Sequence, residues 1–434
     1  MKICFIPIDN RPVCYNLARD IAAIDNSIEL LLPPREYLGD LTKPAKVKEI
    51  LDWMEQLSKC DVMVLSLDTI AYGGLIPSRR TTEKTDEICA RLARLKSLLA
   101  NTKVYAFSSI MRISDNNCNE EEKEYWNDWG KKIFKYSYSG INEGIPQEIL
   151  DDYIATRKRN FVINKMYLNW NLDTLIYSKD DCAPKGFNVD EAKELEFLGG
   201  KIKTGADEIP LALLARAIKK EIRVFVKYTE PEYKDCISNY EDISIEASVQ
   251  GQLELSGFSV VKNETEADLI LIVNNFIEKQ GEHVMGWSTE KYKGQFTPPQ
   301  KPYAVADVRF ANGADNDFVE QLLPQIDLKN FYGYSGWNTS ANSLGSLLAG
   351  IKVRWNAEKY NENAFKCLQI IRFLDDWAYQ ANIRINGKTP NIEKLMKPYE
   401  EKLTLTPTLS LAEGVHFSYS YPWNRSFEIE ITIK

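Results

Sequence analysis

Four apolar, strand-like runs of this chain end in a carboxylate and then break into a polar loop of small residues. They are ICFIPIDNRP at 3–12, VMVLSLDTIAYGG at 62–74, TLIYSKDDCAP at 174–184 and AVADVRFANGAD at 304–315. In parallel sheets and βα barrels, ligands bind beyond the carboxyl ends of the strands, where several loops meet. The pattern therefore predicts one shared acidic pocket. Its candidate residues are Asp9, Asp68, Asp180, Asp181, Asp307 and Asp315.

Histidine is scarce, which limits the chemistry open to the chain. The two histidines, His283 and His416, lie in no recognisable motif. A serine triad would have to use one of them, and a zinc site rich in histidine has too few ligands. Carboxylates are therefore expected to carry any proton transfers. The candidate catalytic residues are Asp68 together with Asp181 or Asp307.

Two motifs combine acidic, basic and small residues at predicted strand ends. In DNRP, Asp9 and Arg11 could both contact a ligand, although Asp9 could equally cap the following helix. In LDTIAYGGLIPSRR, the glycine pair lets backbone amides approach a ligand, while a tight structural turn is the alternative. The candidate binding residues of this second motif are Tyr72, Gly73, Gly74 and Arg79.

Two further candidates come from later strand ends. Arg112 could contact an anion or a hydroxyl, or could form a salt bridge with a neighbouring carboxylate. Asp180 and Asp181 are adjacent, so on an extended segment at most one would face a given reacting centre. Such oxygen-rich loops can bind Mg²⁺ or Mn²⁺, while a solvated acidic turn is the alternative. We predict no metal site, and keep Mg²⁺ or Mn²⁺ as the alternative.

The segment GYSGWNTSANSLGS at 333–346 has the composition of a sugar-binding surface. Planar amides and carboxylates bind hydroxyls, and an aromatic side chain stacks on the apolar face of a sugar ring. The alternative is a helix-packing motif of small residues, which would explain the glycine and serine at its end. The candidate binding residues are Trp337, Asn338 and Asn342, with Asn312 from the preceding motif.

Alternating strand and helix patterns predict an α/β protein with parallel sheets. We expect two Rossmann-like α/β units facing a cleft, followed by a helical and β appendage; a single modified βα barrel is the alternative. The expected domains are 1–200 with a helical insertion at 119–171, 201–355, and the appendage at 356–434. The polar stretch 277–302 has the length typical of a lid or binding loop.

Composition excludes several classes of protein. The 434 residues include 44% hydrophobic and 27% charged residues, which is typical of globular proteins. A net charge of -8 with scattered basic residues disfavours nucleic-acid binding. No apolar run reaches the roughly 18 residues of a membrane span, and Asp9 interrupts any signal peptide. The eight cysteines contain no CxxC pair, which suits a reducing compartment, so we expect a cytoplasmic protein without a membrane partner.

Several motifs occur together in one order along the chain. They are IDNRP, SLDTIAYGGLIPSR, IMR, YEDI, TGADE, ADVRFANGAD, GWNTSANSLG and PWNRSFEI. In this combination the chain resembles a bacterial family known as domain of unknown function 4127, over nearly its whole length. The resemblance implies a cytoplasmic bacterial protein, but no activity. Asn10 and Lys179 depart from the family's Asp and Gln, which weakens any catalytic role for these two residues.

These observations favour a carboxylate-dependent hydrolase acting on a small carbohydrate, with a glycoside as the expected substrate and without a cofactor. Glycosidases need two carboxyl groups separated by roughly 5 to 9.5 Å, depending on stereochemistry. One alternative is a Mg²⁺ or Mn²⁺ enzyme that handles a phosphorylated or acidic metabolite. Another is a sugar-binding protein without catalysis. The sequence leaves the identity of the sugar and the oligomeric state open.

Overall fold

The computed structural model describes residues 1–57, 59–180, 185–218, 220–406, 408–411 and 414–434. The chain divides into two compact units, neither of which is a continuous stretch. Unit 1 comprises Met1–Tyr15, Glu29–Leu213 and Tyr240–Asp242, and unit 2 comprises Asn16–Ile28, Leu214–Asn239 and Ile243–Lys434. Each unit contains its own parallel sheet, which confirms the predicted α/β class. Both sheets are open, so the alternative prediction of a single βα barrel was wrong.

Unit 1 is built on six strands that pair in parallel throughout, in the order β2-β1-β3-β4-β5-β6. Because β2 and β3 flank β1, the direction of winding reverses between β1 and β3, and ligands of such sheets bind at this switch point. The central strands are buried, as parallel strands covered on both faces must be. The strands are β1 (Lys2–Ile6), β2 (Glu29–Leu31), β3 (Val62–Ser66), β4 (Lys103–Ile110), β5 (Thr174–Lys179) and β6 (Lys201–Thr204).

The described helices connect and cover the strands. They are α1 (Asn16–Ala22), α2 (Val47–Gln56), α3 (Leu67–Tyr72), α4 (Leu75–Arg80), α5 (Thr85–Leu98), α6 (Trp126–Ser139), α7 (Gln147–Tyr167), α8 (Phe187–Phe197), α9 (Ile209–Ala217), α10 (Ile245–Leu255), α11 (Asn316–Leu322), α12 (Ser340–Asn356), α13 (Glu362–Arg372) and α14 (Ile392–Thr404). In unit 1, apolar residues of α2, α5 and α7 pack with those of β1, β3 and β4 in one core. The predicted helical insertion contains α6 and α7.

The first unit extends beyond the expected boundary at residue 200. Strand β6 hydrogen-bonds to β5 along its whole length, so the chain returns to the first sheet after Gly200. Residues 240–242 also belong to unit 1, where Asp242 forms an ion pair with Lys179 at the end of β5. The predicted restart near residue 200 is therefore the entry to a sixth strand.

Unit 2 repeats the winding of unit 1. Its sheet has the order β11-β10-β9-β7-β8 with parallel pairs, so its first strand, β7, is again flanked by the second and the third. Apolar residues of α10 and α12 pack with β7, β9 and β10. The strands are β7 (Arg223–Tyr228), β8 (Ser259–Val260), β9 (Leu269–Asn274), β10 (Tyr303–Asp307) and β11 (Phe331–Ser335).

The C-terminal part contains both the helices and the β structure expected of an appendage, and it clusters with unit 2. After α13 the chain forms a π-helix at Phe373–Ile383, then α14. An antiparallel pair follows, β12 (Phe417–Ser420) with β13 (Glu430–Ile433). None of the described helices is both long and apolar enough to cross a membrane.

Candidate functional site

A network of polar side chains joins the carboxyl ends of three neighbouring strands in unit 2. Asp307 ends β10, Asn274 ends β9, and Tyr334 lies near the end of β11. The Asn274 amide donates to Asp307 Oδ1 at 2.8 Å, and the Tyr334 hydroxyl donates to Asp307 Oδ2 at 2.9 Å. Parallel strands bring these residues together because their carboxyl ends lie at one edge of the sheet.

A second carboxylate, Asp315, lies beside Asp307. Its backbone N–H donates to Asp307 Oδ2 at 2.8 Å, and its own Oδ2 accepts from the Asn274 amide at 3.3 Å. Asp315 also caps α11, since its Oδ1 accepts from the N–H of Asp317 at 3.1 Å. Both carboxylates are 1% exposed. One amide nitrogen therefore bridges a pair of buried carboxyl groups.

A fully buried arginine extends this network to the switch point. Arg309 Nε lies 3.2 Å from Asp315 Oδ2 and donates to Asn274 Oδ1 at 3.2 Å, while Nη2 contacts Glu230 at 2.7 Å. Glu230 follows β7, and the switch point lies between β7 and β9. The network therefore spans the ends of four adjacent strands.

The two carboxyl groups are held in different electrostatic surroundings. Burial, and next the charge of Asp315, raise the pKa of Asp307 to about 7, although three donors work in the opposite direction. Asp315 instead has Arg309 as an ion-pair partner. A carboxyl group that keeps its proton near neutral pH, beside a carboxylate paired with a cation, is the arrangement that acid–base catalysis uses.

The polar stretch 277–302 covers this network. The backbone carbonyl of Glu290 accepts from Arg309 Nη1 at 2.8 Å, and the guanidinium lies 5.9 Å from the ring centre of Tyr292. Nearer its start, Gly281 pairs with the chain after β10, where its N–H donates to the carbonyl of Arg309. The predicted lid or binding loop thus packs on the residue that holds the carboxylate pair.

A second acidic pair, in the π-helix, supports the loop after β11. Asp376 accepts from the N–H of Gly336 at 2.6 Å and forms an ion pair with Arg372 at 2.8 Å. Burial raises the pKa of Asp376 to about 6 and that of Asp375 to about 7. π-Helical turns are often found at functional sites. Here the turn places a buried carboxyl group directly under the backbone of the predicted sugar-binding segment.

In unit 1, Asp68 lies in a separate buried network. It follows β3 and accepts from Ser108 Oγ at 2.9 Å and from the N–H of Ser109 at 2.7 Å. Ser108 Oγ also lies 2.8 Å from Asn164 Oδ1. Burial raises the pKa of Asp68 to about 6. Its described hydrogen-bond partners include no second carboxylate, so its pairing with Asp181 or Asp307 stays a prediction.

Arg79, Arg112 and Asp180 come together in an ion-pair cluster of unit 1. Arg79 contacts Glu122 at 2.8 Å and Asp180 at 3.6 Å. Arg112 contacts Glu121 at 2.9 Å, Glu122 at 3.2 Å and Asp180 at 3.4 Å. The predicted salt-bridge alternative for Arg112 is therefore observed. The carboxylates balance both guanidinium groups within the cluster.

Asp9 and Arg11 form another ion-pair group, with a partner that lies far away in the sequence. Arg11 Nη2 lies 2.7 Å from Asp9 and 2.6 Å from Asp207, which follows β6. Strands β1 and β6 are separated by three other strands in the sheet. The loops after β1 and β6 therefore meet above the carboxyl edge of the sheet, with Arg11 as the connection.

The glycine pair of the LDTIAYGGLIPSRR motif serves close packing. A Cβ on Gly73 would lie 2.6 Å from Cβ of Pro44, and the φ of Gly73 is +89°. Its carbonyl accepts from the N–H of Ala45 at 2.9 Å. Gly74, at φ +133°, directly precedes α4 as its N-cap. The structural-turn alternative therefore explains both glycines. Tyr72 is buried at 3% exposure.

The predicted sugar-binding segment differs most from expectation at its aromatic residue. Trp337 has no exposed side-chain surface and packs on Phe427 at 5.6 Å between ring centres, so it is not an open stacking platform. Asn338 accepts from the N–H of Thr339 at 2.8 Å, and the Asn342 amide donates to Thr339 Oγ1 at 3.1 Å. The Asn312 amide donates to Glu282 at 3.0 Å, and its Oδ1 is buried without a donor.

Some predictions remain untested. Asp181 lies outside the described residues, and the shared pocket of all six aspartates stays a prediction because Asp9, Asp68 and Asp180 belong to unit 1 and Asp307 and Asp315 to unit 2. Within the described chain, no three His, Cys, Asp or Glu side chains are grouped so that they could hold a metal ion.

Several residues of the network in unit 2 were not predicted from the sequence. Asn274 directly follows the apolar run LILIV, so the rule used for aspartates would have found it if extended to amides. Arg309 lies within a motif that was recognised for its acidic residues. Tyr334 and Asp376 do not follow the end of an apolar run. Tyr334 lies inside a strand pattern, and Asp376 lies inside a helical pattern.

The comparison with protein families agrees with the motifs. The model of the family described as "Protein of unknown function (DUF4127)" matches residues 3–432. Searches of curated proteins and of solved structures found no match. With nearly the whole length matched, the chain belongs to the DUF4127 family of proteins of unknown function.

Proposed function

We propose that this protein is a carboxylate-dependent hydrolase acting on a small carbohydrate, with Asp307 and Asp315 as its catalytic pair. The observation that carries the proposal is the bridging of both carboxyl groups by the amide of Asn274, at 2.8 and 3.3 Å. The pair lies at the carboxyl edge of a parallel sheet, where ligands of this fold class bind. We also propose a cytoplasmic location, on the ground of eight cysteines without a CxxC pair.

The two carboxyl groups are suited to different roles. Asp307, whose pKa is raised to about 7 by burial, is the proposed general acid that protonates the leaving oxygen. Asp315, paired with Arg309, is the proposed nucleophile. Because one nitrogen contacts both groups, their nearest oxygens lie no more than about 6 Å apart, which is short of the roughly 6.5 Å that inverting glycosidases need. We therefore expect retention of configuration.

The surrounding groups fit a hydroxylated substrate. Asn274 and Tyr334 offer an amide and a phenol, which bind hydroxyls, and Arg309 offers a buried cation. Both carboxyl groups are buried in the described conformation, so substrate entry requires movement of the stretch 277–302 that packs on Arg309. Loops that cover an active site and open for substrate are common in enzymes.

The proposal is tested by release of nitrophenol from a panel of α- and β-nitrophenyl glycosides. We expect turnover by the wild type, and a loss of at least about a hundredfold in Asp307→Asn and Asp315→Asn, since general-acid catalysis alone contributes about 10² to 10⁴. Asp327→Asn, an exposed aspartate of the same unit, should keep full activity. Activity that survives in Asp307→Asn would contradict the assignment.

Two other outcomes would favour the alternatives. Turnover abolished by a chelator would favour a Mg²⁺ or Mn²⁺ enzyme. Saturable sugar binding by isothermal titration, without turnover of any glycoside, would favour a binding protein.

A further inference from the structure

Unit 1 contains a pocket of about 520 Å³ that the proposed hydrolase centre, which lies in unit 2, does not use. This volume falls within the roughly 300 to 1,000 Å³ of small-molecule sites. The pocket lies between the chain after β2, the start of α2, helix α4 and the side chain of Arg91 on α5. Its lining residues include Leu41, Val47, Tyr72, Ile76, Pro77 and Arg80.

The walls of this pocket are partly apolar and partly charged, and the lining includes the carboxylates of Glu49 and Glu83. Leu41, Val47, Ile76 and Pro77 contribute aliphatic surface, and Tyr72 contributes an aromatic side chain. Mixed pockets of this kind bind the apolar body of a ligand by removing it from water, while a few polar groups fix its orientation. The polar groups therefore decide which ligand the pocket fits.

Two of the three lining cations already have carboxylate partners. Arg91 contacts both carboxylate oxygens of Glu83, at 2.8 and 2.7 Å. Lys48, which is exposed, pairs with Asp52 at 2.7 Å. These two cations therefore add little net positive charge to the pocket.

Arg80 is the exception among the described residues. Its guanidinium donates only to backbone carbonyls: those of Glu122 at 2.9 Å, Leu41 at 2.8 Å, Asn119 at 3.1 Å and Glu120. No described carboxylate lies within ion-pair distance of it. The carbonyl groups satisfy four of its N–H groups, while Glu120, Glu121 and Glu122 act on its charge from a distance, without a direct ion pair.

One N–H of Arg80 remains for a ligand. A guanidinium has five N–H groups, and four of these donate to the carbonyls. The remaining one is on Nη1, which also donates to Leu41, a residue of the pocket wall. Burial lowers the pKa of Arg80 from its ordinary value, yet an arginine keeps its charge in proteins. An anionic oxygen at this position would gain both a hydrogen bond and an opposite charge.

We propose that this pocket binds a small organic anion with an apolar body, such as an aromatic carboxylate. The apolar body lies against Val47, Ile76 and Tyr72, and the carboxylate contacts Nη1 of Arg80. The inference is independent of the hydrolase, because its residues and those of the carboxylate pair belong to different units.

The test uses the full chain and the fluorescent anion 8-anilinonaphthalene-1-sulfonate as the probe. We expect one saturable site, from which 1-naphthoate displaces the probe at least about tenfold better than the isosteric neutral 1-naphthamide, a difference of about 1.4 kcal/mol. Val47→Trp fills the pocket and should weaken probe binding at least about tenfold. Ala90→Trp, on the exposed face of α5, is the matched control and should bind as the wild type does.

Either of two results would overturn the proposal. Naphthamide and naphthoate could displace the probe equally well, which would remove the role of Arg80. Alternatively, Val47→Trp with an unchanged circular dichroism spectrum could bind the probe as tightly as Ala90→Trp, which would place the probe elsewhere. Neither result bears on glycoside turnover, so the two proposals fail separately.

Discussion

Asp307 and Asp315 lie eight residues apart in the sequence, yet their surroundings give them different chemistry. Asp307 is buried at a strand end beside the charge of Asp315, so loss of its proton is costly even though three donors contact it. Asp315 caps a helix and forms an ion pair with Arg309. The difference follows from position in the fold rather than from residue type.

The charge of Asp315 should control the proton of Asp307. In Asp315→Asn the amide can still cap α11, but the negative charge that raises the pKa of Asp307 is removed. We expect the pKa of Asp307 to fall below about 7, measured by NMR of the carboxyl carbon across pH. Asp317→Asn, which lies in the same turn and is not in contact with Asp307, should leave it unchanged.

Asp68 should make the protein less stable as pH rises. Its pKa is about 6 in the folded chain and about 3.9 for an unperturbed aspartate. Between these values the folded state holds a proton that the unfolded state has lost, so the free energy of unfolding falls as pH rises from about 4 to 6.

Replacing Asp68 by Asn tests this dependence. We expect Asp68→Asn to lose less thermal stability between pH 5 and pH 8 than the wild type, because it has no carboxyl group to ionise. Asp86→Asn, on the exposed first turn of α5, should follow the wild type. Identical pH profiles for the wild type and Asp68→Asn would refute the role given to Asp68.

At the residue level, the sequence predicted which residue types gather at strand ends but not their partners. Asp307 and Asp315 were both identified from one motif. Arg79, Arg112 and Asp180 were also identified, but the neutralisation of the two arginines by Glu121 and Glu122 was not. These two glutamates lie before α6, in a stretch that the sequence assigned to a helical insertion. The burial of Trp337 depends on Phe427, which lies 90 residues further along the chain.

At the level of elements, the stretch 277–302 is attached to the carboxylate network by few groups. Arg309 donates to the backbone of Glu290, and Tyr292 packs over the same guanidinium. Other parts of the stretch have further contacts: the Gln280 amide donates to the carbonyl of Val308 at 2.8 Å, and His283 Nε2 lies 2.9 Å from the carbonyl of Ala314. Opening is therefore expected to begin around Glu290 and Tyr292.

Removing the ring of Tyr292 should favour the open loop. We expect Tyr292→Ala to increase the hydrogen exchange of residues 277–302 by about tenfold, while β10 stays protected. Tyr360→Ala is a matched control, since Tyr360 lies 5.4 Å from the guanidinium of Arg354 elsewhere in unit 2. Equal exchange in both variants would mean that Tyr292 does not hold the loop.

Long apolar strands were predictable within one or two residues, and short or charged elements were not. The apolar run that begins at Val62 became β3, Val62–Ser66. Strand β6, KIKT, was missed because two of its four residues are lysines, and β8 has only two residues. The π-helix was predicted as an ordinary helix, because its apolar spacing does not distinguish the two hydrogen-bond patterns.

At the level of the whole molecule, the two sheets share one winding order although their sequences share no obvious repeat. This order determines where each unit can bind a ligand. The sequence predicted two such units, but not that the chain passes from one to the other five times.

The short segment Asn16–Ile28, with which the chain first enters unit 2, should matter for stability because Asp25 attaches it to the rest of that unit. Asp25 accepts from the N–H groups of Glu358 at 3.1 Å and Lys359 at 3.0 Å, and from Ser27. We expect Asp25→Ala to lower the free energy of unfolding by about 2 to 3 kcal/mol, since buried donors lose a charged acceptor.

Urea unfolding at two pH values checks this expectation. The donors lower the pKa of Asp25, so its contribution is present above about pH 4 and is lost as pH falls further. The difference between Asp25→Ala and the wild type should therefore be smaller at pH 3 than at pH 7. Asp327→Ala, at an exposed position, should show little difference at either pH.

The segment Asn16–Ile28 also determines how late in synthesis the folding of unit 2 can be completed. Helix α1 emerges early from the ribosome, with Leu17, Ala18 and Ile21 as its apolar side. Its packing partners, α12 and α13, are translated more than 300 residues later. At about 5 to 20 residues per second, α1 must wait at least about 15 seconds for them. During that time its apolar side lacks these packing partners, and a slower ribosome would lengthen the exposure.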